Sequence, residues 1–286
     1  MLPFIAAMLA WVGMLIGLYP TVASWFTQYD QSRVVDTYSS EATSPRLSPS
    51  VSEQLREANE YNTALSSGAQ LEANHRLPTG EGSSTDSSLD YSSILKVDDT
   101  GVMGRIKIPS IDVDLPIYHG TSDEVLLKGI GHLEGTSLPV GGVGTHTVLT
   151  GHRGLASATM FTNLDKVGVG DTFTVEVLDQ VLTYRVASTK VVDPDQTEAL
   201  RPAEGEDLAT LVTCTPLGIN SQRILVTGER ITPTPQKDLD AAGQAPDIPG
   251  FPWWTLLLAG GTVVAAVYVW RAGYSPEAGP EARAQQ

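Results

Sequence analysis

Residues 210–216 read TLVTCTP, an apolar run that contains the chain's one cysteine and ends at a proline. Residues 223–228 read RILVTG, a second apolar run that follows a short polar segment. Short apolar runs bounded by turn residues indicate central β-strands. Strands joined by a short loop are usually antiparallel neighbours. We therefore expect Cys214 and Arg223 to meet at one end of a sheet.

Further segments of alternating polar and apolar residues predict more strands, at 104–109, 113–118, 145–150, 172–178 and 181–188. The last two are separated by two polar residues, which is typical of a β-hairpin. Short helices are predicted at 123–129 and 158–167. Many short strands with few helices indicate a mainly β fold that closes, or nearly closes, into a barrel.

Both ends of the chain are apolar. Residues 251–270 carry no charge, are long enough to span a bilayer and have tryptophan or tyrosine at each end. We predict a transmembrane helix there, followed by a cytoplasmic tail at 271–286. Residues 1–19 are predicted to be a membrane anchor or a signal; we favour an uncleaved anchor, with a signal cleaved near residues 22–24 as the alternative. In either case the middle of the chain is translocated.

Between these ends the composition changes several times. Spacings of three and four between apolar residues predict one or two amphipathic helices, which Pro45 and Pro49 interrupt. A polar Gly/Ser-rich stretch follows. The predicted segments are a helical extension at 20–72, a lid-like loop at 73–100, the catalytic barrel at 101–232 and a Pro-rich linker at 233–250.

Charge and cysteine content exclude several functions. The formal net charge is −15 and Lys and Arg form no cluster, which argues against nucleic acid as a partner. One cysteine cannot form a disulfide within the chain, and no other Cys or His lies near it in sequence to complete a metal site. Cys214 is therefore an inert small hydrophobe, an intermolecular bridge or a nucleophile. Its translocated location favours a chemical role.

A nucleophilic cysteine needs a nearby base or cation. His152 lies in TGHRG at 150–154, where a predicted strand ends in a glycine-flanked turn, and it is the best candidate base. His75 falls in the polar loop, and His146 lies early in a strand, where a structural role is the better interpretation. His119 and His132 remain open. Arg223 could stabilise an oxyanion, although a surface salt bridge is the ordinary role of such an arginine.

TLVTCTP, TGHRG and NSQRILVTG, at 210–216, 150–154 and 220–228, together resemble the Cys-His-Arg signature of sortases. Other stretches resemble the pilus-assembling class C members: LYPTVASWF at 18–26, GVMGRIKIP at 101–109, LPIYHGT at 115–121, GHLEGTSLPVGG at 131–142 and FTNLDKVGVGD at 161–171. The resemblance implies a sortase-type eight-stranded β-barrel with short helices, an N-terminal helical extension and terminal transmembrane helices.

The resemblance also implies a chemistry. Cys214 would attack the Thr–Gly bond of a Leu-Pro-Xaa-Thr-Gly-like sorting signal, His152 would act as acid and base, and Arg223 would bind the signal backbone and stabilise the intermediate. No metal or organic cofactor is implied. The implied partners are pilins or surface proteins with a C-terminal sorting signal and an acceptor lysine amine, at the outer face of the cell membrane.

Three alternatives remain at this stage: a sortase that anchors proteins to peptidoglycan, a secreted cysteine protease, and a non-enzymatic membrane-anchored binding module. One feature departs from the class C pattern. Residues 73–93 lack the Asp-Pro-aromatic motif with which many members plug the active site, so a lid there would use Leu77-Pro78 or Tyr91.

Overall fold

The computed structural model describes residues 2–45, 47–66 and 90–273. It also describes the backbone, but not the side chains, of the pairs 69–70, 79–80 and 83–84. Residues 66 and 273 are likewise described by their backbone alone. The chain divides into two compact units, one formed by residues 1–26 and 249–286 and the other by residues 27–248. His75, Leu77, Pro78 and residues 274–286 lie outside the described residues.

The larger unit is built on a closed barrel of eight strands. Their bounds are β1 Val102–Ile108, β2 Val113–His119, β3 Ile130–His132, β4 Thr145–Thr150, β5 Thr172–Val177, β6 Gln180–Val192, β7 Asp207–Thr215 and β8 Gln222–Arg230. Around the barrel the order is β6-β8-β7-β4-β3-β2-β1-β5, and β5 pairs with β6 to close it. The pairs β7–β4 and β3–β2 are parallel and the other pairs are antiparallel. The predicted barrel is confirmed.

All seven predicted strands are present, but the sequence analysis missed β3 because its three residues are too few to show a periodic pattern. The predicted helix at 123–129 is present as α3, Asp123–Lys128. The predicted short helix at 158–167 is found only in part: the segment forms turns and one 3-10 helix, Leu164–Lys166. Its internal backbone hydrogen bonds join residues three apart, such as Leu164 N–H to Phe161 O (3.1 Å), whereas Phe161 N–H donates to His152 O at 3.0 Å outside the segment.

Helix α1, Leu2–Ala42, enters the barrel unit at residue 27, and helix α2, Val51–Ala64, lies wholly within that unit. Tyr38 Oη donates to Met103 O at 3.0 Å and accepts from Leu178 N–H at 2.9 Å. Asn62 on α2 both donates to Leu138 O (3.1 Å) and accepts from Leu138 N–H (2.7 Å). These bonds satisfy backbone groups of the barrel and attach α2 and the C-terminal end of α1 to it.

The Pro-rich stretch after β8 is bound to the barrel and contains a short helix, α4, at Gln236–Asp240. Arg105 Nη1 donates to Gln244 O and Lys107 Nζ to Ala241 O, each at 2.8 Å. Both cations are also paired with Glu176, and Arg105 forms a bidentate pair with Asp114. The sequence indicates a tether here; the structure adds that residues 241–244 are attached to the barrel.

The smaller unit contains the first part of α1 and helix α5, Trp254–Gly273. Both helices are long and apolar enough to cross a membrane. Trp11 Nε1–H donates to Thr262 Oγ1 at 3.0 Å, which pairs the two helices. Pro20 lies inside α1 and does not end it, although it removes one backbone donor.

The core around Phe173 and Tyr184, whose rings stack at 5.4 Å, leaves no room for a side chain at residue 228. A Cβ on Gly228 would lie 2.7 Å from Phe173 Cε1 and 2.9 Å from Tyr184 Cβ. We expect Gly228→Ala to destabilise the barrel by about 1–3 kcal/mol through overpacking. The measurement is thermal unfolding of the full-length protein in detergent, followed by far-ultraviolet circular dichroism.

Gly168→Ala is the matched control, because a Cβ there meets nothing within 4 Å. Its effect should stay within about 0.5 kcal/mol. Equal melting temperatures for the two variants would contradict the packing described here.

Candidate active site

The register between β7 and β8 places Cys214 directly opposite Arg223. Both side chains are buried, with Cys214 4% exposed and Arg223 fully enclosed. Arg223 Nη1 donates to the carbonyl oxygens of Asn220 (2.9 Å) and Gln222 (3.0 Å). Asn220 has a left-handed backbone (φ 57°), a conformation that asparagine tolerates better than most residues. The loop between the strands therefore holds the guanidinium at the end of the barrel that carries the thiol.

His152 follows β4, which is the parallel neighbour of β7 on its other side. Gly151 N–H donates to Val212 O at 3.1 Å, and Thr213 Oγ1 donates to Gly151 O at 2.8 Å. On the far side of the histidine, Arg153 Nη1 donates to Thr215 Oγ1 at 2.9 Å. Bonds on both sides of His152 thus reach residues on both sides of Cys214. The two residues lie side by side at the same barrel end, with His152 8% exposed.

The electrostatics of the site oppose a permanently ionised thiol. Burial raises the pKa of Cys214, and the charge of Arg223 offsets part of that rise. Leu126 of α3, itself fully buried, packs against Cys214 and adds to the apolar surroundings. The buried, apolar setting of Cys214 therefore favours the neutral thiol over the thiolate.

The other described histidines make structural contacts. His146 binds Arg201 O through Nδ1 and Thr210 Oγ1 through Nε2. His132 lies opposite Leu149 of β4, and its ring binds Tyr91 Oη (2.9 Å) and Ser137 O (2.9 Å). His119 on β2 pairs with His132 on β3. The ring nitrogens of His119 lie within hydrogen-bond distance of the carbonyl oxygens of Gly101 and Ile94.

Tyr91, one of the residues through which the predicted lid would act, is bound to the barrel. Its hydroxyl binds His132 and accepts from Gly120 N–H at 2.9 Å. These two hydrogen bonds, to His132 and from Gly120, attach Tyr91 to the β2–β3 side of the barrel. A lid built on Leu77-Pro78 falls outside the described residues.

Sequence reasoning missed three residues that shape the site. Arg153 stands beside His152 in TGHRG, so its position in the sequence was a visible signal. Asn220 follows Gly218 in a turn, which was a weaker signal. Leu126 carries no motif, and only the folded chain shows that it packs on Cys214. In the part of the chain that the structure describes, no group of His, Cys, Asp and Glu could hold a metal ion.

Known proteins with similar sequences identify the family. The family model of the sortase domain matches residues 106–231. Sortase D of Bacillus subtilis (strain 168) is 30% identical over 157 residues, which make up 54% of this chain and 76% of that protein. The chain belongs to the sortase family. Sortases are cysteine transpeptidases, so the class of enzyme is established.

Solved structures place this sortase near the class C members. Sortase C-1 of Actinomyces oris is 48% identical, with a TM-score of 0.56, over 63% of this chain and 98% of that one. Sortase C of Streptococcus pneumoniae is 43% identical, with a TM-score of 0.55, over 64% of this chain and 89% of that one. The resemblance drawn from the sequence motifs is confirmed.

The environment of His132 makes the stability of the sortase dependent on pH. Complete burial lowers the pKa of His132 from 6.5 to about 4. Between about pH 6.5 and 4, His132 is therefore protonated in the unfolded chain and neutral in the folded protein. The stability present above about pH 6.5 is lost as the pH falls towards 4. This histidine contributes roughly 3 kcal/mol to that loss.

We expect His132→Gln to flatten the fall in unfolding free energy between neutral and acidic pH. Denaturant titrations of the full-length protein at several pH values provide the measurement. The slopes of the two proteins would remain the same if His132 were protonated in the folded state. The pKa values of His119 and His146 are also lowered by burial, so part of the fall should persist in the variant.

Proposed function

We propose that this sortase cleaves a Leu-Pro-Xaa-Thr-Gly-like sorting signal through Cys214, His152 and Arg223, and joins pilin subunits by isopeptide bonds. The observation that carries the proposal is the convergence of β4, β7 and β8 on one barrel end. Cys214 of β7 and Arg223 of β8 lie at that end, together with His152 in the turn that follows β4. This combination is suited to acyl transfer, and each role falls to a protein side chain.

In the acylation step, His152 takes the thiol proton of Cys214, and the thiolate attacks the carbonyl carbon of the substrate threonine. Arg223 binds the substrate backbone and stabilises the negative charge of the tetrahedral intermediate. When the carbon–nitrogen bond breaks, the His152 imidazolium gives its proton to the leaving glycine amine. The product is a thioester on Cys214.

In the transfer step, the ε-amine of a pilin lysine attacks the thioester carbonyl. His152 accepts a proton from the incoming amine and returns it to the departing Cys214 sulfur. An isopeptide bond forms and the enzyme is regenerated. The solved sortase C from Streptococcus pneumoniae acts on pilin substrates, which supports pilins as substrates of this sortase as well.

The two apolar helices support a location in the cell membrane. The proposed function requires the barrel to lie on the outer face. Sorting signals and pilins would meet the enzyme on that side. The peptidoglycan-anchoring sortases share the acylation step and differ in the acceptor amine, so the identity of the transfer product distinguishes the two functions.

The first prediction concerns the intermediate. Full-length protein in lipid nanodiscs, incubated with a Leu-Pro-Xaa-Thr-Gly peptide, should carry an acyl group on Cys214 in a mass spectrum. Cys214→Ala should carry none. Absence of an adduct with every sorting signal from neighbouring surface proteins would exclude the proposed chemistry. Added pilin should then give a lysine isopeptide product; transfer only to a peptidoglycan stem peptide would refute the pilus assignment.

The second prediction concerns the cation. Arg223→Lys should lower kcat/KM for peptide cleavage by about 10²–10³-fold, because lysine cannot reproduce the planar, multiply bonded donor geometry. Arg230→Lys is the matched control, since Arg230 lies on the same strand as Arg223 but at the opposite end of the barrel. Equal losses in both variants would indicate a general effect on β8 and no special role of Arg223.

A further inference from the structure

The side chain of Arg153 is turned into the protein and is only 8% exposed, although the residue follows His152 in a turn. Each of its three nitrogens has a partner. Nε donates to Thr162 O (3.2 Å), Nη1 donates to Thr215 Oγ1 (2.9 Å), and Nη2 pairs with Asp165 Oδ2 (2.8 Å). One guanidinium therefore connects the turn after β4, the end of β7 and the segment that leads to β5.

The backbone on both sides of Arg153 binds that same segment. His152 O accepts from Phe161 N–H at 3.0 Å, and Gly154 N–H donates to Thr162 Oγ1 at 3.1 Å. Hydrogen bonds from residues 161 and 162 thus attach the turn that carries His152 to the segment that leads to β5. The hydrogen bond from Arg153 to Thr215 connects this turn to the residue that follows Cys214.

We propose that Arg153 is a positioning residue that fixes the distance between the His152 imidazole and the Cys214 thiol, and that Asp165 neutralises its charge at this place. The inference rests on the proposed function, because it assigns a purpose to the spacing of those two groups. Reacting groups displaced by about 1 Å can lose roughly 10²-fold in rate. A rigid guanidinium with three fixed partners is well suited to prevent such a displacement.

Asp165 compensates the charge of Arg153. An unpaired guanidinium beside His152 would disfavour the imidazolium that must protonate the leaving amine. Asp165 pairs with Arg153 and offsets part of that charge, and Arg223 on β8 remains as the cation that acts on Cys214. The site therefore contains two arginines with different tasks, one compensated by a carboxylate and one held by backbone carbonyls.

The test measures peptide cleavage by the full-length protein in lipid nanodiscs. Arg153→Lys keeps the charge and loses the three-pronged contact, whereas Thr215→Val keeps Arg153 and removes one acceptor. Both should lower kcat by about 10–100-fold and change KM by less than about threefold. Arg230→Lys, at the opposite end of the barrel, should leave kcat unchanged. If Arg153→Lys fails to fold, Thr215→Val decides the outcome.

Asp165→Asn supplies a readout that a merely structural role would not move. It leaves the guanidinium uncompensated, which lowers the pKa values of both His152 and Cys214. Both limbs of the kcat/KM profile should then move to lower pH by roughly a few tenths of a unit, a small shift because Asp165 is about half exposed. An unmoved profile would overturn the charge-compensation claim.

The two levels of the account fail in different ways. Wild-type protein that forms no acyl group on Cys214 would refute the proposed function and this inference with it. Wild-type protein that forms the adduct, together with Arg153→Lys and Thr215→Val variants that turn over at the wild-type rate, would refute the role of Arg153 alone.

Discussion

The site depends on the parallel pairing of β4 with β7, combined with the antiparallel pairing of β7 with β8. The central strand carries Cys214, and its two neighbours deliver His152 and Arg223 to the same barrel end. A one-residue slip in either register would turn every side chain of the slipped strand to the other face of the sheet. The barrel prevents such a slip because it is closed and each face is fixed by burial. The reactive geometry is thus a consequence of the register.

Sequence reasoning succeeded where the evidence was local. Alternating apolar residues predicted five strands and two short apolar runs predicted two more, and the short loop between 210–216 and 223–228 predicted that Cys214 and Arg223 would meet. It could not place His152 beside Cys214 from the residues alone, because β4 and β7 are distant in sequence and only the family resemblance connected them. It missed β3, which is too short for a pattern, and it predicted a helix at 158–167 where turns and one 3-10 helix form.

Two further features are products of tertiary contact. The stretch after β8 has the composition of a tether, yet Arg105 and Lys107 bind its carbonyl groups. Tyr91 follows the polar stretch in sequence, yet its hydroxyl is committed to His132 and Gly120. Both cases show polar backbone groups finding partners across the fold, which composition does not reveal.

The central claim is that Cys214 and His152 form one coupled pair in a buried setting that disfavours an isolated thiolate. It is tested most directly by the pH dependence of Cys214 alkylation with iodoacetamide in the wild-type protein and in His152→Gln. The account predicts two apparent pKa values in the wild type and a single, higher one in the variant. Identical single-step curves for the two proteins would contradict it.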